Sequence, residues 1–367
     1  MTQIRIVATN ASPAGGTFLT PFWFAAHDGS FDLYNRNEAA SPGLEALAED
    51  GNFDPINAEV VALDADAVTG AVFGAGGPLA TGETGSTIIE VDGVSNGFVS
   101  LGAMILPSND AFVGTGAPIQ LFDEYGNFLG QQAVYFSGEN VLDAGTEVNT
   151  EEDAAFLNQT GPNTGIDENG VVTLHPGFLP EGEGNILGGT GATGEFIDPI
   201  IADFTQPGAQ IAHIHINEVE VTEGTDGNDV FRGSQVDDLV SGGAGNDLLI
   251  GRAGWDELSG GQDNDILRGG AGNDVLNGGT GRDRLNGGEG YDVFVFADDY
   301  GRDRVQRFDY EEDTVRLNIE GIDSFEDLEG IYTNRGNNTV LNFGDGDVLV
   351  LNGVNFEDLS ASNFDFV

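Results

Sequence analysis

The sequence predicts an all-β protein with an N-terminal β-sandwich, a parallel β-roll and a C-terminal β cap. Residues 1–221 hold short runs of β-branched and aromatic residues, separated by Gly, Pro, Asn and Asp. Residues 224–295 repeat a pattern of nine residues, and strand-like runs resume after residue 295. We therefore expect three domains, at 1–221, 222–295 and 296–367.

The first domain has the strand spacing of a β-sandwich. A helix is predicted from Ser41 and Pro42, because Ser is a favoured N-cap and Pro fits the first helical position. A second helix is predicted from Thr150, since the three acids that follow it suit a helix N-terminus. Strands are expected at 4–8, 60–63, 87–91, 98–106, 131–136, 171–174 and 211–221.

The chain is extremely acidic. It has 62 Asp and Glu against 12 basic residues, all of them Arg, and its net charge is −50. Such a charge argues against nucleic acid and anionic membrane surfaces as partners. One explanation of this charge is solubility through mutual repulsion, or adaptation to salt. The other is that the chain needs cations to become compact.

Export is expected from what the sequence lacks. With no Cys there are no disulfides, and no apolar run approaches the roughly 20 residues that cross a bilayer, so membrane insertion is not expected. The first ten residues alternate like a strand and lack the apolar run of a signal peptide. A secreted chain of this kind is expected to carry its export signal at the C-terminus.

The repeat has a period of nine from Gly224 and fills eight units. Every unit has Gly at position one, Asp at position six and an apolar residue at position eight. The second unit, which begins at Gly233, lacks two turn glycines, so its metal site is expected to be weak. The position-six aspartates are Asp229, Asp238, Asp247, Asp256, Asp265, Asp274, Asp283 and Asp292.

These positions predict a metal-binding solenoid. Positions one to six form a turn, position eight points inward, and unit n stacks on unit n+2 because consecutive turns alternate sides. Carboxylates and turn carbonyls of stacked turns suit Ca²⁺, which accepts six to eight oxygen ligands. Eight units leave room for at most about six ions, and the segment is expected to fold only when calcium is abundant. The alternative is a glycine-rich solenoid without metal.

The pattern resembles the calcium-binding repeats of RTX proteins. Residues 296–367, and 303–317 in particular, resemble the C-terminal region of RTX proteins that type I secretion machinery exports. Two short helices are predicted there, from Ser324 and Asn355. The alternative for this region is a plain solenoid cap with no role in export.

Three stretches of the first domain, at 27–51, 104–114 and 143–147, resemble the bacterial form of the spondin domain in order and spacing. The resemblance implies a β-sandwich and a calcium site formed by Asp110, Asp143 and Glu147. Glu147 stands where the family usually has Asp, and the family's flanking cysteines are absent. The alternative is that Asp110 and Asp143 merely cap turns.

No catalytic motif is convincing. Ser95 lies in a G-x-S-x-G pattern, but between two β runs, where a hairpin turn is expected. His213 and His215 share one face of a strand, so they can pack there or form a surface metal pair. His27 and His175 are expected to be structural.

We therefore expect a non-enzymatic, calcium-binding adhesion protein, secreted or at the cell surface, with extracellular matrix or surface glycans as partners. The alternatives are a secreted hydrolase with an unrecognised active site in the first domain, and a calcium-buffering or mineral-associated surface protein.

Overall fold

The computed structural model describes residues 1–14, 16–106, 108, 110–146, 170–178, 186–187, 197, 199 and 201–367. The chain forms two compact units, Met1–Glu218 and Val219–Val367. Nearly all regular structure in both is β, which confirms the predicted fold class. Among the described residues, no helix combines the length and hydrophobicity that crossing a bilayer requires.

The first unit contains two antiparallel sheets. One has the order β9-β12-β1-β5, and the other has the order β11-β10-β7-β6-β3-β4 with β2 and β8 also paired to β6. The strands are β1 (Thr2–Asn10), β2 (Phe18–Leu19), β3 (Phe22–His27), β4 (Val68–Val72), β5 (Thr84–Val91), β6 (Phe98–Leu106), β7 (Ala111–Gly114), β8 (Ile119–Gln120), β9 (Gln132–Ser137), β10 (Leu142–Asp143), β11 (Thr173–Leu174) and β12 (Gln210–Glu223).

The two sheets enclose one core, and helices cover the outer face of the second sheet. On β3, Phe22 and Phe24 point into the core between the sheets, whereas Trp23 packs with the helices. Both faces of β3 are therefore buried, which is why its sequence is a continuous apolar run rather than an alternating one. Helix α1 (Pro42–Asp50) has the predicted N-cap, because the Ser41 side chain accepts the N–H of Leu44 at 3.1 Å.

One strand prediction in this unit is wrong. Residues 60–63 form the end of helix α2 (Asp54–Leu63), not a strand. Pro55 lies in the first turn of α2, and its buried Ile56 and Val60 are four residues apart on one helical face. The β-branched pair Val60–Val61 suggested a strand, but packing against α1 decides the conformation. The helix predicted from Thr150 lies outside the described residues.

The second unit is a solenoid with two mostly parallel sheets, one on each side. It begins with the end of β12, whose residues Val219 to Glu223 pair with β14. Its further strands are β13 (Val230–Arg232), β14 (Asp237–Ala244), β15 (Leu248–Ala253), β16 (Glu257–Asp263), β17 (Ile266–Ala271), β18 (Val275–Gly281), β19 (Arg284–Glu289), β20 (Val293–Ala297), β21 (Arg302–Val305), β22 (Thr314–Asn318), β23 (Tyr332–Asn334), β24 (Asn338–Gly344), β25 (Asp347–Asn352) and β26 (Phe364–Phe366).

Each strand of the repeats stacks on the strand one full turn away. Leu249 on β15 pairs with Leu267 on β17, and Leu258 on β16 pairs with Leu276 on β18, so the offset is two units. The position-eight side chains point inward and form a single apolar column. From Val240 onward these side chains are at most 2% exposed. A single unit cannot bury such a residue alone, which is why the repeats must stack.

The solenoid continues past the last repeat. β20 pairs in parallel with β22, which pairs with β26, and β21 pairs in parallel with β25. The antiparallel strands β24 and β23 then close one side. The short helix α3 (Phe325–Leu328) follows Ser324, and a 3-10 turn (Phe356–Asp358) follows Asn355, at the two predicted places.

The glycine at position one of each repeat makes room for the aspartate at position six. A Cβ on Gly269 would overlap the carboxylate of Asp274, with the Asp274 Cγ only 2.6 Å away, and the other repeats from Gly233 to Gly287 show the same clash. The turn thus folds back until the carboxylate lies against the glycine. The five-residue offset between Gly at position one and Asp at position six follows from this contact.

Substitution of Gly269 by Ala should therefore destabilise the solenoid, because the added methyl displaces the Asp274 carboxylate. We expect a loss of about 1–3 kcal/mol, measured by thermal unfolding in saturating CaCl₂. Gly330→Ala is the matched control, since Gly330 has open space around its Cβ position and no left-handed φ. Equal stability of the two variants would contradict the packing argument.

Candidate metal centres

The position-six aspartates form a continuous ladder on each side of the solenoid. In each rung, the main-chain N–H of one aspartate donates to Oδ1 of the aspartate one turn further on, at 2.8 to 3.2 Å. We call this the aspartate ladder. One side comprises Asp229, Asp247, Asp265, Asp283 and Asp303, and the other comprises Asp238, Asp256, Asp274, Asp292 and Asp313.

The second oxygen of most ladder aspartates is buried and has no hydrogen-bond partner among the described residues. A buried carboxylate oxygen without a donor carries an uncompensated desolvation cost of several kcal/mol, so a cation or a proton must offset it. The atoms concerned are Oδ2 of Asp247, Asp256, Asp265, Asp274, Asp283, Asp292 and Asp303.

The first aspartate on each side of the ladder, Asp229 and Asp238, has different hydrogen-bond partners from the aspartates that follow. Oδ2 of Asp229 accepts the N–H and the hydroxyl of Thr225, both at 2.8 Å. Oδ2 of Asp238 accepts the N–H of Ser234 at 3.0 Å, while its Oδ1 is the buried oxygen without a partner. In these first two repeats the protein therefore satisfies Oδ2, whereas in the repeats that follow it satisfies Oδ1.

Burial raises the pKa of seven ladder aspartates far enough to favour their neutral form. Desolvation is the largest cause in every case, and charges of neighbouring aspartates add to it in most. The pKa rises to about 8 for Asp274 and Asp303, to about 7 for Asp256, Asp265 and Asp292, and to about 6 for Asp283 and Asp313.

These donors fit calcium. Carboxylate oxygens facing stacked turns, without nitrogen or sulfur, are the ligands of a hard cation with a loose coordination sphere. The ion's positive charge would offset the desolvation of the orphaned oxygens directly. The ladder aspartates would hold the ions, and the turn glycines let the main chain approach closely enough to contribute carbonyl oxygens.

A second cluster of possible metal ligands lies in the first unit. Ligand atoms of Asp110, Asp143 and His175 all lie within 4.8 Å of one another, and all three residues are buried. Strand pairing brings these three residues together. Because β10 lies between β7 and β11, Asp143 on β10 lies next to Asp110 and the end of β11. The predicted ligand Glu147 lies outside the described residues.

The surroundings of this cluster are well defined. Asp110 Oδ2 accepts the N–H of Thr146 at 3.0 Å, and Asp143 Oδ1 accepts the N–H of Gly145 at 2.7 Å. Nδ1 of His175 accepts the N–H of Gly177 at 3.0 Å, which leaves Nε2 for the carboxylates. Burial lowers the pKa of His175 to about 4, although Asp143 partly opposes the shift, so the ring is neutral at physiological pH.

The comparisons with known proteins follow the same division of the chain. Residues 13–166 match the Spondin_N family, a range that contains Asp110 and Asp143. Residues 223–258, 232–267 and 259–294 each match the RTX calcium-binding nonapeptide repeat in four copies.

The chain combines a Spondin_N domain with RTX calcium-binding repeats. The resemblances of the first domain to the spondin domain and of residues 224–295 to RTX repeats are thereby confirmed. RTX repeats bind calcium and are typical of secreted proteins, so the aspartate ladder lies in a calcium-binding segment. The search of curated proteins gave no match.

Two solved structures are similar to part of the chain. The extracellular lipase LipA from Serratia marcescens has 19% identity and a TM-score of 0.24, with 40% of each chain covered. The AlgE6R3 subunit of the mannuronan C5-epimerase from Azotobacter vinelandii has 28% identity and a TM-score of 0.24, with 38% of this chain and 79% of that chain covered. The chain thus spans two fifths of the lipase, and similarity this low is no evidence of a shared activity.

Two features of these centres were missed in the sequence. Asp303 and Asp313 extend the ladder, but their offsets of 20 and 21 residues break the RTX period. The signal was the D-x-apolar triplet at each, which repeats positions six to eight of the RTX unit. His175 gave no such signal, because only tertiary pairing brings it to Asp143.

The other motifs remain structural. Ser95 lies in a turn between β5 and β6, which belong to different sheets, and the Asp92 carboxylate accepts its N–H at 3.1 Å. The connection therefore joins two sheets and is neither a simple hairpin nor a strand-to-helix elbow. His27 is buried with Nε2 3.1 Å from the Ser100 hydroxyl, and His213 packs edge-on against Tyr135.

The raised pKa values predict how the metal-free solenoid depends on pH. Unfolded Asp has a pKa near 3.9, whereas Asp274 keeps its proton in the fold up to about pH 8. Folding in EDTA therefore takes up protons between about pH 4 and 8, and stability falls across this window as pH rises, by about 1.4 kcal/mol per pH unit for each proton.

We expect hydrogen exchange within 224–295 to be slower at pH 5 than at pH 8 in EDTA, after correction for intrinsic rates. Added CaCl₂ should protect the segment more at pH 8, because protons compete for the same oxygens. A metal-free solenoid that becomes more stable from pH 5 to pH 8 would contradict this assignment of charge.

Proposed function

We propose that this chain is a secreted, non-enzymatic adhesion protein of the cell surface or extracellular matrix, exported by type I secretion machinery. Its RTX repeats fold on calcium after export. The observation that carries the proposal is the aspartate ladder, whose orphaned oxygens are buried without a hydrogen-bond donor among the described residues. The nonapeptide match supports calcium as the missing charge.

The energetics favour a calcium-triggered fold. An extracellular calcium site with a dissociation constant of about 0.1–1 mM adds about 1.4 kcal/mol at tenfold saturation. Several such sites add up to the stability of a whole domain, about 5–15 kcal/mol. At neutral pH and low calcium the ladder would instead hold repelling or protonated carboxylates. The segment is therefore unfolded where calcium is scarce and folded where it is abundant.

The first unit offers a surface suited to adhesion. On the outer face of the sheet, Tyr135 lies opposite His213, which lies opposite Thr9 and then Thr84. Around this row lie Arg5, Val7, Ser86, Ile88, Ala133, His215 and Asn217. We call this set the β12 face. None of its side chains is acidic, although the chain as a whole carries a net charge of −50.

A glycan is the partner that fits this face. Tyr135 is 58% exposed, and the imidazole rings of His213 and His215 lie edge-on to its ring, with centroid distances of 4.9 and 6.1 Å. A flat platform of aromatic and uncharged polar groups can stack on a sugar ring and bond its hydroxyls.

A calcium ion at Asp110, Asp143 and Glu147 would strengthen the first unit. Asp110 and Asp143 are buried, so the site is not an exposed rim for ligand capture. Because the two aspartates join β7 to β10, an ion there would hold these strands together. His175 would then orient Asp143 through Nε2 rather than bind the ion, since Nδ1 already accepts the N–H of Gly177.

The alternative, a secreted hydrolase, has less support. A cavity of about 490 Å³ in the first unit is lined by Asp32, Glu38 and Glu59, among others. The Glu59 carboxylate accepts the Ser41 hydroxyl and the Gly43 N–H, both at 2.7 Å, so it caps α1. A carboxylate held in this way is a poor general base.

Calcium-dependent folding is tested by Asp274→Asn in the full chain. The neutral amide keeps the shape of the rung but removes the charge, so we expect loss of at least one bound Ca²⁺ by native mass spectrometry and a higher calcium requirement for order by circular dichroism. Asp263→Asn is the control, because Asp263 is an exposed turn residue of the same array at φ 76°, a conformation Asn tolerates. Order in EDTA at pH 8 equal to that in calcium would overturn the proposal.

Adhesion is tested on a glycan array with the full chain in CaCl₂. Tyr135→Ala should weaken binding at least tenfold, because it removes the aromatic platform of the β12 face. Tyr125→Ala is the control, since Tyr125 is 78% exposed in a turn outside this face. Binding that both variants retain would place adhesion elsewhere, and release of hydrolysis products from the array would favour the hydrolase.

A further inference from the structure

The chain after the last matched RTX repeat forms one more turn of the same type. Residues 298–303 stack on residues 278–283, with a parallel bridge between Gly281 and Gly301. The β19 and β21 strands that follow the two turns pair in parallel. The family match ends at residue 294, because the offset between these two turns is 20 residues rather than 18.

The main chain of this turn repeats the RTX conformation. Asp299 has φ 64° and Gly301 has φ 85°, and the equivalent residues of the turn before, Gly279 and Gly281, have φ 83° and 148°. Left-handed φ is uncommon for residues other than glycine, so its recurrence at Asp299 indicates a conserved turn shape rather than a chance likeness. Residues 298–303 are therefore a further unit of the solenoid with an altered sequence.

Asp303 has the same environment in this turn as the position-six aspartate has in an RTX repeat. It is 0% exposed, its Oδ1 accepts the N–H of Asp283 at 3.0 Å, and its Oδ2 is buried without a hydrogen-bond partner among the described residues. Oδ2 of Asp283 in the turn before is orphaned in the same way. Two buried carboxylates thus lie close together on adjacent turns, each with an oxygen that no N–H or hydroxyl of the described residues satisfies.

The other side of the solenoid ends differently. Asp313 accepts the N–H of Asp292 with Oδ1, at 3.2 Å, and the N–H of Asp309 with Oδ2, at 2.8 Å. Both of its oxygens are satisfied by the main chain. Beyond the last repeat, Asp303 therefore has an oxygen without a hydrogen-bond donor, whereas Asp313 on the other side has none.

Asp347 fixes the new turn from outside. Its Oδ1 accepts the N–H of Gly301 at 2.7 Å, and its Oδ2 accepts the N–H of Asp299 at 3.1 Å. The Asp347 carboxylate is therefore committed to main-chain amides. It holds the turn in shape without being available as a ligand, so the oxygens that need a cation are those of Asp283 and Asp303.

We infer that a further calcium ion binds between the turns 278–283 and 298–303, outside the RTX consensus, with the Asp283 and Asp303 carboxylates and turn carbonyls as its ligands. The inference rests on calcium binding by the repeats, as proposed above. The donors are all oxygen, which selects a hard divalent cation over a transition metal. The ion would extend calcium-dependent order from the repeats into the C-terminal segment.

Asp303→Asn in the full chain tests the site. Native mass spectrometry in CaCl₂ should show one fewer bound Ca²⁺ than the unaltered chain. Asp299→Asn, an exposed residue of the same turn, should keep the full number. Loss from Asp274→Asn together with no loss from Asp303→Asn would overturn this inference alone, whereas no loss from either would overturn calcium binding by the ladder.

Hydrogen exchange on the unaltered chain gives a second test that needs no folded variant. Amides within 298–306 should gain protection on addition of CaCl₂ with the same midpoint as those within 278–286, because one ion would bridge both turns. Protection of 298–306 that is already complete in EDTA, while the repeats still respond to calcium, would show that no ion binds there.

Discussion

The solenoid depends on the buried carboxylates of the aspartate ladder, which link the stacked turns and at the same time lose the solvation of their charge. From Asp247 onward, one oxygen of each ladder aspartate joins its turn to the preceding turn through a main-chain N–H, as Asp274 does with Asp256 at 2.9 Å. That bond requires the carboxylate to be buried, and burial leaves the other oxygen without a donor. Stacking therefore creates a line of uncompensated charge, and the same line of charge is what a divalent cation binds.

This constraint accounts for the main features of the repeat. Glycine at position one is needed because the carboxylate occupies the place of a Cβ, and an apolar residue at position eight is needed because it alone supplies the core between the sheets. The first unit is built differently. Its core between the sheets is apolar, and Phe22 and Ile6 both belong to it.

What could be predicted from the sequence is what local spacing determines. The nine-residue period gave the two-unit offset, the inward position and the ladder aspartates, and the run 98–106 became β6 with the same bounds. Residues 60–63 were misassigned because β-branched residues are common in strands, while helix packing decided their fold. The roles of His175 and Asp303 were not predicted from the sequence, because they arise from pairing between distant segments.

The edge strands at the C-terminal end of the solenoid, β23 and β26, bear on whether another chain can add to its sheets. A parallel stack could in principle lengthen without limit by adding another chain to its open edge, as fibrils do. Here the last strands are only three residues long, and each edge is tied down by charge. On β23, Asn334 donates to Glu357 at 2.6 Å, and on β26, Asp365 pairs with Arg316 at 2.7 Å. Such short edge strands, with charged side chains engaged beside them, offer little free main chain for the addition of a further strand.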